Sequence, residues 1–253
     1  MDAGPHALRV NTPAGWRAFG TAADLDLDFA SDDRPAVVTA LLAACAAPRD
    51  SAHWWSRSVG ERIAAVLRVL VISTGVEMLA MQARCPRPGC GELYEFDLPL
   101  GRLIAQPQAA EPVRVRLGGE RVISLRRPSG QDLGAWRQWR GAPEGELRAR
   151  MLASLLIDGD AGVDDAPAIA EALSAVDPLP GFAVDCPCPA CGVASAVRID
   201  LEAVALAQFA RMQRVLLREV HAFAGRYGWT EAQVFAVPPV RRARYLALIE
   251  GER

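Results

Sequence analysis

Two cysteine-bearing stretches that lie far apart in the chain constrain its fold more than any other feature of the sequence. CPRPGCG spans residues 85–91 and CPCPACG spans residues 186–192, and each leads into a strand-like segment that ends in Asp-Leu. Aligned on their first cysteines, the stretches place Cys85 over Cys186, and their last cysteines and glycines also coincide. Two hairpin knuckles that each offer two thiolates to one tetrahedral ion are typical of a zinc ribbon. The repeat therefore predicts a structural Zn²⁺ site divided between two distant parts of the chain.

The second stretch holds one cysteine more than a four-ligand site needs. Cys188 and Cys191 form the usual C-x-x-C knuckle, which favours them as ligands. Cys186 with Cys191 instead repeats the spacing of the first stretch, so Cys186 stands as the alternative ligand. We predict a site made of Cys85, Cys90, Cys188 and Cys191, whose four thiolates leave no open position for water and make the zinc structural. A disulfide and a ribbon that folds without metal are the alternatives to this site.

The rest of the chain predicts an α+β fold that is rich in helix. A capping box at 58–61 begins a helix that is expected to continue to about residue 82, and Ser129 is the predicted N-cap of another helix. Residues 113–127 alternate apolar residues with arginine around Gly118-Gly119, which predicts a β-hairpin with a tight two-residue turn. Further helices are predicted at 35–47, 144–157, 165–176 and 201–226, and after Thr230 and Pro238.

These elements divide the chain into three parts. Residues 1–34 form a weakly patterned N-terminal arm, whose acidic segment 24–33 is interpreted as solvated. Residues 35–100 and 182–253 form a main helical body that includes the zinc-ribbon knuckles. Residues 101–181 form an inserted hairpin and helical subdomain. A metal ion shared by the two knuckles is expected to hold this insertion onto the main body.

Composition and charge exclude several classes of protein. Hydrophobic residues make up 51% of the chain, which is ample for a packed core, and the formal net charge of −2 provides no basic field for nucleic acid. The most apolar window, residues 63–81, carries Arg68 and Glu77 and so indicates a buried helix rather than a membrane span. Because no secretory signal is recognised, we expect a cytoplasmic protein, in which clustered cysteines more often bind metal than form disulfides.

A catalytic set is not recognised in the sequence. The three histidines, His6, His53 and His221, lie in no catalytic motif, and His221 is interpreted as a packed or capping residue on a helix. The G-x-S-x-G, H-E-x-x-H and G-x-G-x-x-G patterns are missing from the sequence. We therefore expect neither enzymatic activity nor a small-molecule substrate.

The C-terminal segment, residues 216–251, carries a specific set of residues in a specific order. A helix with His221 is followed by Tyr227-Gly228-Trp229, Thr230-Glu231, Arg241-Arg242 and Tyr245-Leu246. This order resembles a family of phage baseplate proteins related to a T-even phage baseplate hub component, found in contractile tails and extracellular contractile injection systems. Both knuckles, the helix before the first knuckle and the Arg-x-Pro-Ser-Gly-x-Asp pattern at 126–132 resemble the same family. The first knuckle departs from the family pattern by two extra residues between its cysteines.

The resemblance implies a non-enzymatic structural or assembly protein of a contractile tail-like particle, which binds baseplate or hub subunits. Such a protein acts in the cytoplasm, where the particle is assembled, and the released particle is its second expected location. Tyrosine, tryptophan and arginine dominate binding hot spots, so the candidate partner-binding residues of the tail are Tyr227, Trp229, Arg241, Arg242 and Tyr245. The alternative for the rings is a small satellite core, with Arg241, Arg242 and Arg244 directed outward.

A zinc-ribbon nucleic-acid-binding accessory protein is the alternative function. The arginine-rich hairpin at 113–127 is its best support. Against it, the knuckle regions carry few basic residues, namely Arg84, Arg87 and Arg198, and the net charge is negative. We therefore do not expect a nucleic-acid partner.

Overall fold

The fold is α+β, as the sequence predicts, with three small antiparallel sheets among helices in the residues that the computed structural model describes, 12–106 and 112–251. Helices α1 to α10 span Arg34–Cys45, Ser51–Ser56, Val59–Thr74, Leu100–Ile104, Gly130–Trp136, Glu144–Leu155, Ala166–Val176, Leu201–Tyr227, Glu231–Ala236 and Pro239–Gly251. Strands β1 to β7 span Met78–Arg84, Leu93–Pro99, Val113–Arg116, Val122–Leu125, Leu156–Asp158, Ala183–Pro187 and Ala194–Arg198. β1 pairs with β2, β6 pairs with β7, and β4 lies between β3 and β5.

The principal core lies where α1, α3 and α8 meet. Leu42 of α1, Val66 of α3 and Phe209 of α8 are fully buried there. The rings of Phe19 and Phe29 contact Phe209, with centroid separations of 5.3 and 6.4 Å. The described part of the N-terminal arm therefore contributes its own side chains to this core.

The acidic segment of the arm holds one residue that is not solvated. Asp24 is fully buried, and its carboxylate accepts hydrogen bonds from Arg17 Nη1 and Nη2 at 2.8 and 2.7 Å. The backbone N–H groups of Gly20 and Thr21 donate to the same carboxylate, each at 2.8 Å. The interpretation of this segment as solvated is therefore wrong for Asp24, because a buried carboxylate that is fully hydrogen-bonded is stable inside a protein.

Helix α3 ends earlier than the sequence pattern predicts. Gly75 adopts a left-handed conformation with φ of 68°, and its N–H donates to Val71 O at 2.8 Å, which closes the helix. Residues 78–84, expected to be helical, instead form β1 and pair with β2 in register from Met78↔Pro99 to Arg84↔Leu93. A short apolar run fits a buried helix and a buried strand equally well, so pairing with a distant strand decides between them.

The inserted region has an apolar core of its own. Its sheet packs against α6 and α7 around a cluster of buried residues: Val113, Val115, Leu117, Ile123, Leu125, Leu155 and Ile169. The hairpin turn is longer than the predicted two residues, because Leu117 N–H donates to Arg121 O across a 3₁₀ turn in which Gly119 has φ of 72°. Residues 156–158 form the third strand of the sheet, so the helix predicted at 144–157 ends at Leu155.

The segment 126–132 fastens the insertion to the main body. Ser129 caps α5 in a capping box with Asp132, and the Asp132 carboxylate also accepts from Arg126 Nη2 at 2.6 Å. Val59 N–H donates to Pro128 O at 2.8 Å, and Gly130 N–H donates to Arg57 O at 3.1 Å. The first turns of α3 and α5 are therefore hydrogen-bonded to each other.

Arg62 lies beneath this junction and is fully buried. Its guanidinium donates to Trp54 O and Pro35 O, each at 2.7 Å, and to Thr39 Oγ1 at 2.9 Å. Burial lowers the pKa of Arg62 to about 10, although the charge of Glu202 opposes this shift. One side chain thus links α1, α2 and α3 below the attachment of the insertion.

Candidate metal centre

Two β-hairpins carry the cysteine stretches at their tips. The β1–β2 hairpin ends at the pair Arg84↔Leu93, and the β6–β7 hairpin ends at the pair Pro187↔Ala194. Side chains from both hairpins form one small cluster that includes Ala83, Tyr94, Phe96, Val184, Cys186 and Val197. This cluster holds the two tips side by side, although they are distant in sequence.

Backbone hydrogen bonds show which residues of the two knuckles correspond. Cys85 N–H donates to Glu92 O at 2.8 Å, and Cys188 N–H donates to Val193 O at 3.0 Å. Cys85 therefore corresponds to Cys188, and the alignment of Cys85 with Cys186 is wrong by two residues. The physical reason is that the first loop is two residues longer, so that equal cysteine spacing does not reflect equal position in the hairpin.

The four cysteines favoured by the sequence come together in the structure. Cys85 Sγ lies 3.6 Å from Cys191 Sγ, Cys90 Sγ lies 3.8 Å from Cys188 Sγ, and all four sulfur atoms lie within 4.8 Å of one another. A tetrahedral ion with metal–sulfur bonds of about 2.3 Å separates its ligand atoms by about 3.8 Å. The sulfur spacing is thus that of a four-thiolate site, which could hold a metal ion, and is too long for disulfide bonds.

Each loop is turned by a glycine that follows its second cysteine. Gly91 has φ of 63° and Gly192 has φ of 70°, a conformation that favours glycine over any other residue. Arg84 Nη1 donates to Gly91 O at 2.7 Å and braces the first loop from the strand side. The two-residue insertion in that loop is therefore accommodated without displacing its cysteines from the group.

Backbone N–H groups point at the sulfur atoms and set their acidity. The N–H of Val193, together with the neighbouring thiols, lowers the pKa of Cys191 to about 7, although burial opposes this. The N–H of Arg87 lowers the pKa of Cys85, but burial and hydrogen bonds with the other three thiols outweigh it and raise the pKa to about 12. The Cys191 thiol thus has a lower pKa than the Cys85 thiol, and a cation would balance the charge of four thiolates held this close together.

The other two cysteines lie outside this group. Cys186, the alternative ligand, is buried on β6 two residues before the knuckle, and its carbonyl accepts from the Tyr94 hydroxyl at 3.5 Å. Burial and the nearby Asp185 raise the pKa of the Cys186 thiol. Cys45 is fully buried on α1, as predicted for a small core residue, and burial raises its pKa to about 12. The structure therefore groups Cys188, and not Cys186, with the other three thiols.

The C-terminal aromatic residues form a stacked cluster around Phe223. Trp229 stacks on Phe223 at 5.4 Å and Tyr245 meets Trp229 edge-on at 5.5 Å, while Tyr227 is 39% exposed at the outside of the cluster. Phe223 and Val234 are buried beneath these rings. The rings thus form a small satellite core, and the ring of Tyr227 is also exposed at the protein surface.

The arginines of the tail divide between surface and interior. Arg241 and Arg244 are exposed, as predicted. Arg242 is only 5% exposed: its Nε donates to Glu219 at 3.0 Å and its Nη1 to Val237 O at 3.2 Å. The expectation that Arg242 is directed outward is therefore wrong, because this ion pair fastens α10 to α8.

The histidines stand apart from the cysteine group. His53 lies half-buried on α2, where its ring meets Trp54 edge-on at 5.0 Å. His221 is exposed on α8, which excludes the packed alternative of its interpretation as a packed or capping residue. His6 lies outside the described residues. Among the described residues, none of the helices combines the length and the apolar character needed to cross a membrane.

The junction residue Arg62 was not predicted from the sequence. It lies in the segment ERIAAVL and is the one cation among the buried residues of α3, which include Ile63, Val66 and Val69. An arginine among core-forming residues is a signal for a buried hydrogen-bond network, since it must find several acceptors when it is buried. The same signal applies to Arg17, which lies beside the buried Phe19.

Comparison of this chain with protein-family models, with curated proteins and with solved structures finds no match. The four-thiol geometry is therefore the observation that bears on function, and it is compatible with the binding of a metal ion.

Proposed function

We propose that this protein is a non-enzymatic structural or assembly protein of a contractile, phage-tail-like particle, in which it binds baseplate or hub subunits. The observation that carries the proposal is the position of the segments that resemble the baseplate family. The two knuckles and the segment 126–132 each join elements that are distant in sequence, and Glu219 and Arg242 join α8 to α10 within the tail. Contacts of this kind make a scaffold rigid, which suits a protein that presents a fixed surface to its partners.

Zn²⁺ is the ion we propose for the four-thiol group. Four thiolates in a tetrahedral arrangement are the usual donor set of a structural zinc site and leave no position for a reacting water. The ion would join Cys85 and Cys90 to Cys188 and Cys191 and so close the base of the insertion at 101–181. Its role is then to stabilise the fold, since the free energy of metal binding adds to the free energy of folding.

The C-terminal cluster is the surface that we propose for baseplate or hub subunits. Tyr227 and Arg241 are exposed there, and the rings of Trp229 and Tyr245 contact the Tyr227 ring at centroid separations of 5.3 and 6.0 Å. Rings that are already packed lose little conformational entropy when a partner binds, which favours affinity. Arg242 acts through its ion pair with Glu219, which fixes the position of α10, rather than through direct contact.

The test is deletion of the gene, followed by electron microscopy of the particles that the cells release. We expect sheathed particles to be missing or defective, and wild-type protein supplied in trans to restore them. A Tyr227→Ala, Arg241→Ala double variant is expected to fold and to bind zinc, yet to restore few particles. Its matched control is Arg214→Ala on the exposed face of α8, which is expected to restore them fully.

Normal, functional particles from the deletion strain would contradict the assembly role. A salt-dependent shift of DNA or RNA at low micromolar protein would favour the nucleic-acid-binding alternative instead. Metal analysis of protein purified without chelator tests the ion separately, and we expect about one zinc per chain.

A further inference from the structure

The four thiols form two close pairs, and each pair spans the two hairpins. Cys85 Sγ lies 3.6 Å from Cys191 Sγ, and Cys90 Sγ lies 3.8 Å from Cys188 Sγ, in a group whose sulfur atoms all lie within 4.8 Å of one another. The members of the two pairs are 106 and 98 positions apart in the chain. A covalent bond within either pair would therefore join the β1–β2 hairpin to the β6–β7 hairpin.

Each pair combines a sulfur near the surface with a buried one. Cys90 and Cys191 are half-buried, whereas Cys85 and Cys188 are only 4% and 2% exposed. A small oxidant reaches a cysteine that is accessible to solvent, and a second cysteine beside it can complete a disulfide. In each pair this second cysteine lies on the other hairpin, where it belongs to the buried apolar cluster.

The movement that a bond requires is short. A disulfide has a sulfur–sulfur distance of about 2.05 Å, so sulfur atoms that are 3.6 and 3.8 Å apart must approach by about 1.6 and 1.8 Å. A change of χ1 rotamer moves a cysteine sulfur by about 3 Å, which is sufficient. Cys90 and Cys191 also lie in the loops at the hairpin tips, where strand pairing does not hold the backbone.

We propose that the four-thiol group is a site of reversible oxidation, at which a hydroperoxide joins Cys85 to Cys191 and Cys90 to Cys188. In each pair one sulfur attacks the peroxide, the O–O bond breaks, and a sulfenic acid and one water form. The sulfur of the second thiol then attacks the sulfenic sulfur and expels its hydroxyl group as a second water. Two thiols and one hydrogen peroxide thus give one disulfide and two waters, with sulfur oxidised and peroxide oxygen reduced.

The pairing requires only the thiols, whereas two of its consequences rest on the proposed function. If four thiolates hold Zn²⁺, formation of both bonds takes up two hydrogen peroxide molecules and four protons, yields four waters and releases the ion, because the ligands lose their charge. In a particle released from the cell, where glutathione does not keep thiols reduced, the two bonds would keep the hairpins joined without a metal.

The test is hydrogen peroxide treatment of protein purified without chelator, followed by alkylation of the remaining thiols and cleavage with trypsin. Both cysteines of the first knuckle lie in the peptide 85–102, since trypsin does not cut before Pro88, and the cysteines of the second stretch all lie in the peptide 151–198. We expect these two peptides to be recovered as one linked species that dithiothreitol separates. Alkylation is expected at Cys45 and Cys186 alone. Chelator is expected to leave the unfolding temperature of the oxidised protein unchanged.

Variants then assign the two bonds. Cys90→Ser is expected to retain the bond between Cys85 and Cys191, so that the peptides stay linked and Cys188 becomes alkylated. Cys186→Ala is the matched control, because it changes a buried cysteine beside the group, and it is expected to form both bonds. The control also tests the pairing in the event that Cys90→Ser does not fold.

Three outcomes would overturn the proposal. These are separate peptides that each contain a disulfide within one loop, loss of the link in Cys186→Ala, and alkylation of all six cysteines after peroxide treatment. None of these results depends on bound zinc or on particle assembly, so they differ from the results that would contradict the proposed function. Zinc analysis before oxidation and electron microscopy of the deletion strain test that function separately.

Discussion

Two of the contacts between the region 101–181 and the rest of the chain use different chemistry. At its base, the two hairpin tips meet through four thiols, around which only a small apolar cluster is buried. At its side, Gly130 and Pro128 meet α3 through backbone hydrogen bonds above the buried Arg62. The thiol group could hold a metal ion, whereas the side junction is made by hydrogen bonds between protein atoms.

Because of this difference, we expect the thiol group and the hydrogen-bonded side junction to be disrupted under different conditions. The apolar cluster between the hairpins is small, so a metal ion bound by the four thiols would add much of the stability of this region. The side junction instead depends on close approach of backbone groups and on the absence of a side chain at Gly130. Removal of the metal is therefore expected to separate the hairpin tips while the side junction persists.

The largest expected effect follows loss of a thiol from the cysteine group. We expect Cys188→Ser to reduce bound zinc from about one per chain to a small fraction and to destabilise the protein by more than about 4 kcal/mol. Zinc content and thermal unfolding measure these two effects. Hydrogen exchange of the variant is expected to show loss of protection in β6 and β7 and retained protection in α5.

The matched control for this prediction is Cys186→Ala, which alters the buried cysteine next to the group. Its zinc content is expected to match that of the wild type, because Cys186 lies outside the four thiols. Equal loss of zinc from both variants, or full zinc in Cys188→Ser, would contradict the ligand assignment.

A smaller effect is expected from closing the space at the side junction. A Cβ at Gly130 would lie 2.3 Å from Arg62 Nη1 and 3.0 Å from Trp55 O. We expect Gly130→Ala to cost about 3 kcal/mol in denaturant unfolding, because the buried Arg62 must move from its acceptors. Zinc content is expected to stay at about one per chain, which would show that the junction at Gly130 can be weakened without loss of the metal from the four-thiol group.

Gly134→Ala provides the control within the same helix. Its Cβ would lie 3.4 Å from Trp55 Cζ3, which is an ordinary contact. Alanine favours a helix over glycine by about 1 kcal/mol, so this variant is expected to be as stable as the wild type or more stable. Similar destabilisation by both substitutions would show that general crowding around α5, and not the contact with Arg62, controls the junction.

The smallest effect concerns the buried ion pair between Arg17 and Asp24 in the N-terminal arm, whose contribution to stability depends on pH. Burial alone would raise the pKa of Asp24, but hydrogen bonds from Arg17, Thr21 and Gly20 outweigh it and hold the pKa below the ordinary value of 3.8. The stability that this group contributes is therefore present above about pH 4 and is lost as pH falls through the folded-state pKa. We expect Asp24→Asn to cost about 2 kcal/mol at neutral pH and to make unfolding less steeply dependent on acid.

Asp26→Asn changes an exposed carboxylate in the same turn and serves as the control. Thermal unfolding between pH 2.5 and pH 7 is expected to show the same pH dependence for this variant as for the wild type. If Asp24→Asn destabilises the protein equally at every pH, ionisation of Asp24 does not contribute to the pH dependence of stability.

The helix starts were the most predictable local feature. The capping boxes at Ser58, Ser129 and Thr230 are all present in the structure, because each requires only residues three positions apart. The end of α3 was not predicted, since the stretch after Gly75 satisfies the apolar pattern of a helix and that of a buried strand. Its pairing with β2 depends on residues that lie beyond the first cysteine knuckle.

The sequence alone determined that two thiol pairs would face one another, because the repeated knuckle pattern has few other uses in a chain of this composition. Only the tertiary structure decided between Cys186 and Cys188, since hairpin register, and not cysteine spacing, sets which thiol reaches the tip. The tertiary structure likewise turned Arg242 inward and buried Asp24, because each pairs with a residue on another turn or helix. Local hydrogen bonds and hydrophobic periodicity depend on residues that are close in sequence. Strand register and ion pairing depend on how distant elements pack together.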